Sequence, residues 1–378
     1  MSMLAAGEAP QISFAERIWR INWALVLILT AIAAVGFLAL YSAAGGRPEP
    51  WAAKHALRYA GALTLMLGVA LVHPKVWLSL AWPIYLVSLA LLVAVDLVGK
   101  IGMGAQRWLV LGPVQIQPSE IAKVAVILVL ARYYHGLKPE QSGKLLHTVP
   151  AAALILAPVA LVMVQPDLGT ALMVLMGGGC VMFVAGTRLW AFAAAGLAAV
   201  ASMPVAWTLM HEYQRRRVLT FLDPERDPLG AGYHITQSKI AIGSGGLFGK
   251  GFLHGTQSSL NFLPEKQTDF IFTSFVEEWG LAGAAVVLAL FGAAILIGHS
   301  VALRSRHHFG RLVAMGVTAM LFLYVFINVA MVMGLLPVVG VPLPLVSNGG
   351  TAMLSVMFAC GLLIGVNVYR DAALPRAG

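Results

Sequence analysis

Ten apolar runs long enough to cross a membrane constrain this chain more than any other feature. A spanning helix needs about 20 mostly apolar residues. Runs of that kind lie at about 21–41, 53–72, 76–95, 118–135, 148–165, 169–186, 188–210, 272–298, 311–335 and 344–369. A water-soluble coat is ruled out, because 11% of residues are charged and 59% hydrophobic, where soluble domains carry roughly a quarter charged residues. The expected fold is an all-α polytopic membrane protein of about ten transmembrane helices. Pro83, Pro158, Pro204 and the glycines at 177–179 fall inside these runs; membrane helices tolerate them where neighbouring helices satisfy the freed backbone groups. Gln165-Pro166-Asp167-Leu168-Gly169 reads as the turn between two spans.

Lys and Arg in the short loops set the orientation. With the N-terminus inside, the inner segments hold twelve basic residues and the short outer segments five. Both termini are therefore expected in the cytoplasm. The stretch at about 211–272, between the seventh and eighth spans, then becomes a long extracytoplasmic loop with 13 of the chain's 41 formal charges. The chain reads as one integral membrane domain over residues 1–378, with an N-terminal run retained as an anchor rather than cleaved. Cys180 and Cys360 sit in apolar runs and read as small core residues.

Ionisable groups at membrane depth are costly and face a cavity or a partner. Four places qualify. Gln117-Pro118-Ser119-Glu120-Ile121-Ala122-Lys123 opens the fourth span, with Glu120 and Lys123 on one helix face; the pair either pins two helices or presents Lys123 to an anionic substrate. Asp167 sits at the outer end of two spans, where a helix cap and a site role are compatible. Asp269 ends the polar loop at the start of the eighth span, as a cap or as a general base for a sugar hydroxyl. Glu277 and Glu278 follow it, and adjacent carboxylates repel unless a basic partner or a proton relieves them. Ser347-Asn348-Gly349-Gly350-Thr351 precedes the last span, as a plain re-entrant turn or as an anion-binding helix start.

Two apparent signals are set aside. The glycine-rich stretch 243–251 fails the phosphate-loop pattern, since Ser244 stands where Gly is needed and Gly251 follows Lys250 where Ser or Thr is needed. Gly102-Met103-Gly104 is no dinucleotide fingerprint, because Arg107 stands at the third glycine position. Arg215-Arg216-Arg217 is either a solvated or headgroup-binding cluster or part of a diphosphate clamp. Nucleic acid is not an expected partner.

Taken in order, Gln-Pro-Ser-Glu-x-x-Lys, Gln-Pro-Asp-Leu-Gly-Thr, Phe-Leu-Pro-Glu-x-x-Thr-Asp-Phe-Ile-Phe and Ser-x-Gly-Gly resemble the SEDS family of bacterial cell-wall polymerases, the RodA, FtsW and SpoVE proteins. The similarity covers nearly the whole chain. His254-Gly255-Thr256-Gln257-Ser258 and Val341-Pro342-Leu343-Pro344 look more like the elongation branch, RodA, than the division branch, FtsW. Asn348, Thr351 and Trp279 depart from residues common in the family, at positions that bear on local packing.

The resemblance implies a peptidoglycan glycosyltransferase of the cytoplasmic (inner) membrane that polymerises lipid II into β-1,4-linked strands at its outer face. It implies Asp269 as the catalytic base. Lys123, Glu120, Asp167, Arg215, Arg216, Lys266, Glu277, Glu278, Ser347, Gly349, Gly350 and Thr351 are expected to bind or orient the substrate. Whether a divalent ion such as Mg2+ or Mn2+ assists is open; Glu120, Asp167 and Asp269 are the carboxylates that would hold it. The implied partners are lipid II, membrane lipids and a single-span class B penicillin-binding protein. Two other readings remain at this stage: a flippase for lipid-linked sugars, and a scaffold for a transpeptidase.

Overall fold

The computed structural model describes residues 13–102, 105–112, 114–210, 212–223, 231–259 and 265–374. In chain order its elements are α1 (Phe14–Trp19), α2 (Trp23–Ala43), α3 (Ala52–Leu71), α4 (Pro74–Val98), β1 (Lys100–Gly102), β2 (Ala105–Leu111), β3 (Val114–Ile116), α5 (Pro118–Gly136), α6 (Pro139–Ser142), α7 (Leu145–Val164), α8 (Leu168–Val184), α9 (Leu189–Leu209), α10 (Glu212–Leu222), α11 (Ala231–Gly245), α12 (Thr256–Ser259), α13 (Ile271–Arg304), α14 (His308–Val332) and α15 (Gly350–Val368).

Each of the ten expected spans is a helix: α2, α3, α4, α5, α7, α8, α9, α13, α14 and α15. Six of them (α2, α4, α7, α13, α14 and α15) are long and apolar enough to cross a bilayer on those grounds alone. The others fall short for local reasons. Lys54 and Arg58 lie in α3, Glu120, Lys123 and Arg132 lie in α5, α8 has 17 residues, and α9 counts as an apolar helix only over Leu189–Val205. The starts follow capping chemistry. Asn22 caps α2 through Leu25 N at 3.1 Å, Asp167 caps α8 through Thr170 N at 3.2 Å, and α4 and α5 open on Pro74 and Pro118, whose missing N–H costs nothing there.

The centre of the bundle is built from helices that are apolar nearly all round, which is the pattern of a buried helix. The spanning windows of α14 and α15 are 72% and 78% buried, against 28% for α4, α7 and α13, which leave broad apolar faces for lipid. Helix α5 packs on α4, α14 and α8, and α15 lies against α3. That last contact is close enough that a Cβ at Gly361 would stand 2.7 Å from Met66 O. Helix α9 is exposed along almost its whole length.

Three features depart from the expected plan. First, the connection between α4 and α5 is a three-stranded antiparallel sheet in the order β1-β2-β3, with Leu109 opposite Ile116 and Val110 opposite Gln115. Second, the expected loop at 211–272 is largely helical, containing α10, α11 and α12. Third, the last span begins at Gly350. Residues 333–349 are irregular, and the part at 341–347 is largely buried, with Val341, Leu343, Leu345, Val346 and Ser347 each no more than 3% exposed. Non-helical backbone is tolerated at such depth only where protein groups satisfy it, and here they do: Asn328 Nδ2 donates to Val341 O at 2.7 Å and Ser347 Oγ accepts from Leu343 N at 2.8 Å.

Helix α13 is two helices in register across a break at Gly280, which adopts φ 66° and ψ −166°. A break frees carbonyls on one side and amides on the other. The glycine-rich segment 246–251 takes both sets: Lys250 N and Gly251 N donate to Glu277 O and Glu278 O, each at 3.0 Å. Leu281 N and Ala282 N donate to Gly246 O and Leu247 O at 2.9 and 3.0 Å. The approach is so close that a side chain at Gly249 would collide with the Glu278 carbonyl. The glycines that imitate a nucleotide loop are there to dock on a broken helix.

Candidate active site

Asp269 sits one residue before the N-cap Phe270 of α13, on a segment held by three successive backbone carbonyls. Asn348 N donates to Gln267 O at 2.8 Å, Ser347 Oγ to Thr268 O at 2.7 Å, and Asn328 Nδ2 to Asp269 O at 3.0 Å. The donors come from α14 and from the buried turn before α15, elements distant in sequence that meet only in the folded bundle. A segment pinned at three successive carbonyls has a pre-organised backbone, so the root of the Asp269 side chain is placed before any ligand arrives.

The Asp269 side chain lines a cavity of about 390 Å³ with Arg107, Gln117, Glu265, Asn348, Gly349 and Thr351. The β-sheet supplies one wall. Arg107, on β2, is fastened by Nε to Gln165 O at 3.2 Å and by its guanidinium to Pro166 O, so the sheet is tied to the turn between α7 and α8. Asn348 is fixed by Arg58, whose Nη1 donates to its Oδ1 at 2.9 Å. A carboxylate that can accept a proton thus faces the same space as a guanidinium and several amide and hydroxyl groups. That arrangement suits general-base chemistry on a polar, hydroxyl-bearing substrate.

The other expected site residues separate into distinct places. Glu120 and Lys123 do not line this cavity. They form a closed buried triad with Tyr324 of α14: Lys123 Nζ donates to Glu120 Oε1 at 2.7 Å and to the Tyr324 hydroxyl, which donates to Glu120 Oε2 at 2.6 Å. Ser355 of α15 adds a hydrogen bond to Glu120 O at 2.8 Å. Asp167 is buried as the α8 cap, accepting from Thr170 Oγ1 at 3.0 Å and from Gln117 Nε2 at 3.3 Å. Gln117, itself a cavity residue, is thereby oriented by Asp167, which acts behind the cavity wall.

Ser347 is the latch on Thr268, while Gly349 and Thr351 line the cavity and Gly350 packs against Arg58. Glu277 is fully buried and accepts from Lys250 Nζ at 2.7 Å, Thr256 Oγ1 at 2.8 Å and Thr256 N at 2.9 Å, so it anchors the loop after α11. Glu278 accepts from Ser42 Oγ of α2 and, with Lys266, lines a second cavity. Burial holds the Lys266 ammonium below the usual lysine range. Arg215 reaches back to Trp207 O and Thr208 O at 2.9 and 2.6 Å, capping the carbonyl end of α9. The Arg216 side chain lies outside the described residues.

The three carboxylates expected for a divalent ion do not converge. Glu120 is committed to Lys123 and Tyr324, Asp167 to its cap, and only Asp269 reaches the cavity. Among the described residues no group of three His, Cys, Asp or Glu side chains is placed to hold a metal. No chemical step is therefore assigned to one.

Sequence reasoning missed Arg107 and Glu265 as cavity residues, Asn328 as the support of Asp269 O, and Tyr324 as the third member of the Glu120–Lys123 triad. Arg107 was visible only as an outer-loop charge. The two α14 residues lie in an apolar span, where an Asn or Tyr at depth is the one signal that could have marked them.

Comparison with known proteins agrees with this architecture. A family model described as "Cell cycle protein" (FTSW_RODA_SPOVE) matches residues 20–372. The chain is 47% identical over 350 residues to the peptidoglycan glycosyltransferase MrdB of Escherichia coli K12, covering 92% of this chain and 93% of that one. It is 34% identical over 361 residues to the stage V sporulation protein E of Bacillus subtilis, covering 91% and 96%. Among solved structures, a chain of a peptidoglycan synthase complex described as coordinating polymerization and crosslinking superposes with TM-score 0.77 at 36% identity, covering 93% and 98%. The rod shape determining protein RodA of Thermus thermophilus gives 0.68 at 31%, covering 93% and 98%. This multi-pass, predominantly helical membrane chain belongs to the FtsW/RodA/SpoVE family.

Proposed function

We propose that this chain polymerises undecaprenyl-diphosphate-linked disaccharide units, lipid II, into β-1,4-linked glycan strands during cell elongation. The observation that carries the reading is the Asp269 carboxylate, rooted on a backbone segment pinned at its carbonyls, in a cavity with polar lining residues at one end of a lipid-facing bundle. Similarity across nearly the whole chain to a peptidoglycan glycosyltransferase supports it. In the step itself Asp269 takes the proton of the acceptor sugar's 4-hydroxyl as that oxygen bonds to the donor's anomeric carbon. The anomeric carbon–diphosphate bond breaks, and undecaprenyl diphosphate leaves with the bonding electrons. Attack opposite the leaving group turns an α-linked diphosphate into a β-glycoside. Arg107 on the cavity wall opposes the charge that develops on the diphosphate.

The cavity end lies on the outer face of the cytoplasmic membrane and both termini lie inside, as the twelve-to-five distribution of basic residues in the short loops favours. A class B penicillin-binding protein is the working partner. The solved synthase complex that contains a similar chain supports this pairing. The test is glycan-strand formation from purified lipid II by the reconstituted protein with that partner. Wild type gives polymer and a folded Asp269→Ala variant gives none. Polymer from both removes Asp269 as the base. Transfer of lipid II across vesicles without polymer from either replaces the polymerase by a flippase.

A further inference from the structure

The segment 265–269 is a wall between two cavities. Glu265, Thr268 and Asp269 face the first. Lys266 lines the second, a space of about 370 Å³ closed by the end of α2, the turn before α3 and the loop after α11. Its chemistry differs from that of its neighbour. Trp51 and Pro50 provide flat apolar surface, Leu253 adds to it, and Glu278 and Ser42 provide acceptor and hydroxyl groups. The Glu278 carboxylate is only 5% exposed and is positioned by the Ser42 hydroxyl. Nothing in the reaction at Asp269 uses any of these residues.

An indole and a buried carboxylate lining one cavity are a pairing that suits a pyranose. The ring's C–H face lies on the aromatic surface while its hydroxyls donate to the carboxylate. A phosphate would be repelled by the same carboxylate, and an acyl chain would offer it no further donor. The single cation, Lys266, matches an amide or lactyl carboxylate oxygen rather than a diphosphate.

We propose that this second cavity is a saccharide subsite that holds one N-acetylhexosamine ring of the glycan, with Trp51 stacking on it and Glu278 accepting from its hydroxyls. The inference rests on the polymerase reading. It places one ring of the strand on the far side of the 265–269 segment from the two sugars being joined at Asp269. A polymerase needs to keep hold of the strand between additions, and a subsite off the reacting cavity does that.

The test uses the β-1,4-linked trimer of N-acetylglucosamine as probe and the full-length protein in detergent, read by saturation-transfer NMR, beside polymerisation of lipid II with the partner present. The trimer is expected to bind wild type and Asp269→Ala alike. Trp51→Ala should weaken trimer binding by about tenfold or more, raise KM for lipid II with little change in kcat, and shorten the strands. Trp51→Phe should restore most of the binding. Glu278→Gln is the second variant, so that misfolding of one does not decide the matter. Trimer binding unchanged by both variants, or no trimer binding by a wild type that polymerises lipid II, overturns the subsite and leaves the polymerase intact. A wild type that binds the trimer at Trp51 yet makes no polymer overturns the polymerase and leaves the subsite.

Discussion

Replacing Lys123 by Met leaves Glu120 as a buried charge without its cation. Lys123 and Glu120 are 3% and 4% exposed and Tyr324 is 0% exposed. In the variant Glu120 keeps one strong donor, the Tyr324 hydroxyl at 2.6 Å, and loses the ammonium at 2.7 Å. Removing one partner of a buried ion pair costs about 3–5 kcal/mol. Membrane proteins give smaller values, because polar groups find other partners in the unfolded state, so the expected loss is ~2–3 kcal/mol. The double variant Lys123→Met/Glu120→Gln removes both charges and keeps an acceptor for Tyr324, and should recover to within ~1 kcal/mol of wild type. Equilibrium unfolding in mixed micelles with rising dodecyl sulfate, followed by circular dichroism, measures the cycle. A lysine kept ready for an anionic ligand would be a strained group in the empty protein, and its loss would leave stability unchanged or higher. Lys123→Met as stable as wild type, or a coupling below ~0.5 kcal/mol, would refute the structural triad and return Lys123 to the substrate.

Other consequences are open to simpler measurements. Gly249→Ala introduces a side chain against the Glu278 carbonyl at a residue with φ 78°, so segment 246–251 should leave the break in α13; the expected cost is ~3 kcal/mol, with faster amide exchange at Lys250, Gly251, Leu281 and Ala282. Arg107→Ala frees Gln165 O and Pro166 O and removes the cavity's guanidinium; a stability loss of ~1–2 kcal/mol with at least about tenfold lower polymerisation is expected, and Arg107→Lys should not restore it, because an ammonium cannot reproduce the two-carbonyl geometry. Lys266 binds its proton less tightly when folded than when unfolded, so its burial penalty is fully present at neutral pH and fades as pH rises into the lysine range. Melting temperature compared between wild type and Lys266→Met should therefore show the variant's advantage shrinking with alkaline pH, and a constant difference would count against it.

The helices were legible because lipid demands a continuous apolar run, a signal that needs no partner elsewhere in the sequence. The sheet was not. Its strands have three, seven and three residues, too short to announce themselves, and β2 is tied through Arg107 to a turn 58 residues away. The pairing of Glu120 with Lys123 followed from helical spacing, but the hydroxyl that closes the triad comes from Tyr324, 201 residues beyond Lys123, in a span whose sequence reads simply as apolar. Asp269 was visible as a carboxylate at the foot of a helix. What makes it more than a cap, the three pinned carbonyls, depends on Asn328, Ser347 and Asn348 arriving from two other elements.

The break in α13 shows why these supports cluster on one segment. A continuous helix over Ile271–Arg304 would be about 51 Å long at 1.5 Å per residue, far more than the roughly 30 Å of hydrocarbon it must cross. The nine residues before Gly280 make up about 14 Å of the excess at 1.5 Å per residue, and they carry both Glu277 and Glu278. By breaking there and borrowing hydrogen bonds from segment 246–251, the chain detaches the spanning part from a short helix that can be oriented separately. Glu277 then holds the glycine-rich loop through Lys250 and Thr256, Glu278 reaches α2 through Ser42, and the residues just upstream, 265–269, are left to divide the two cavities. Gly280, Gly249 and the two glutamates therefore act on the catalytic segment without touching a substrate at Asp269. Substitutions among them should alter turnover in step with the order of segment 246–251, whereas a change at Asp269 should abolish turnover and leave that order intact.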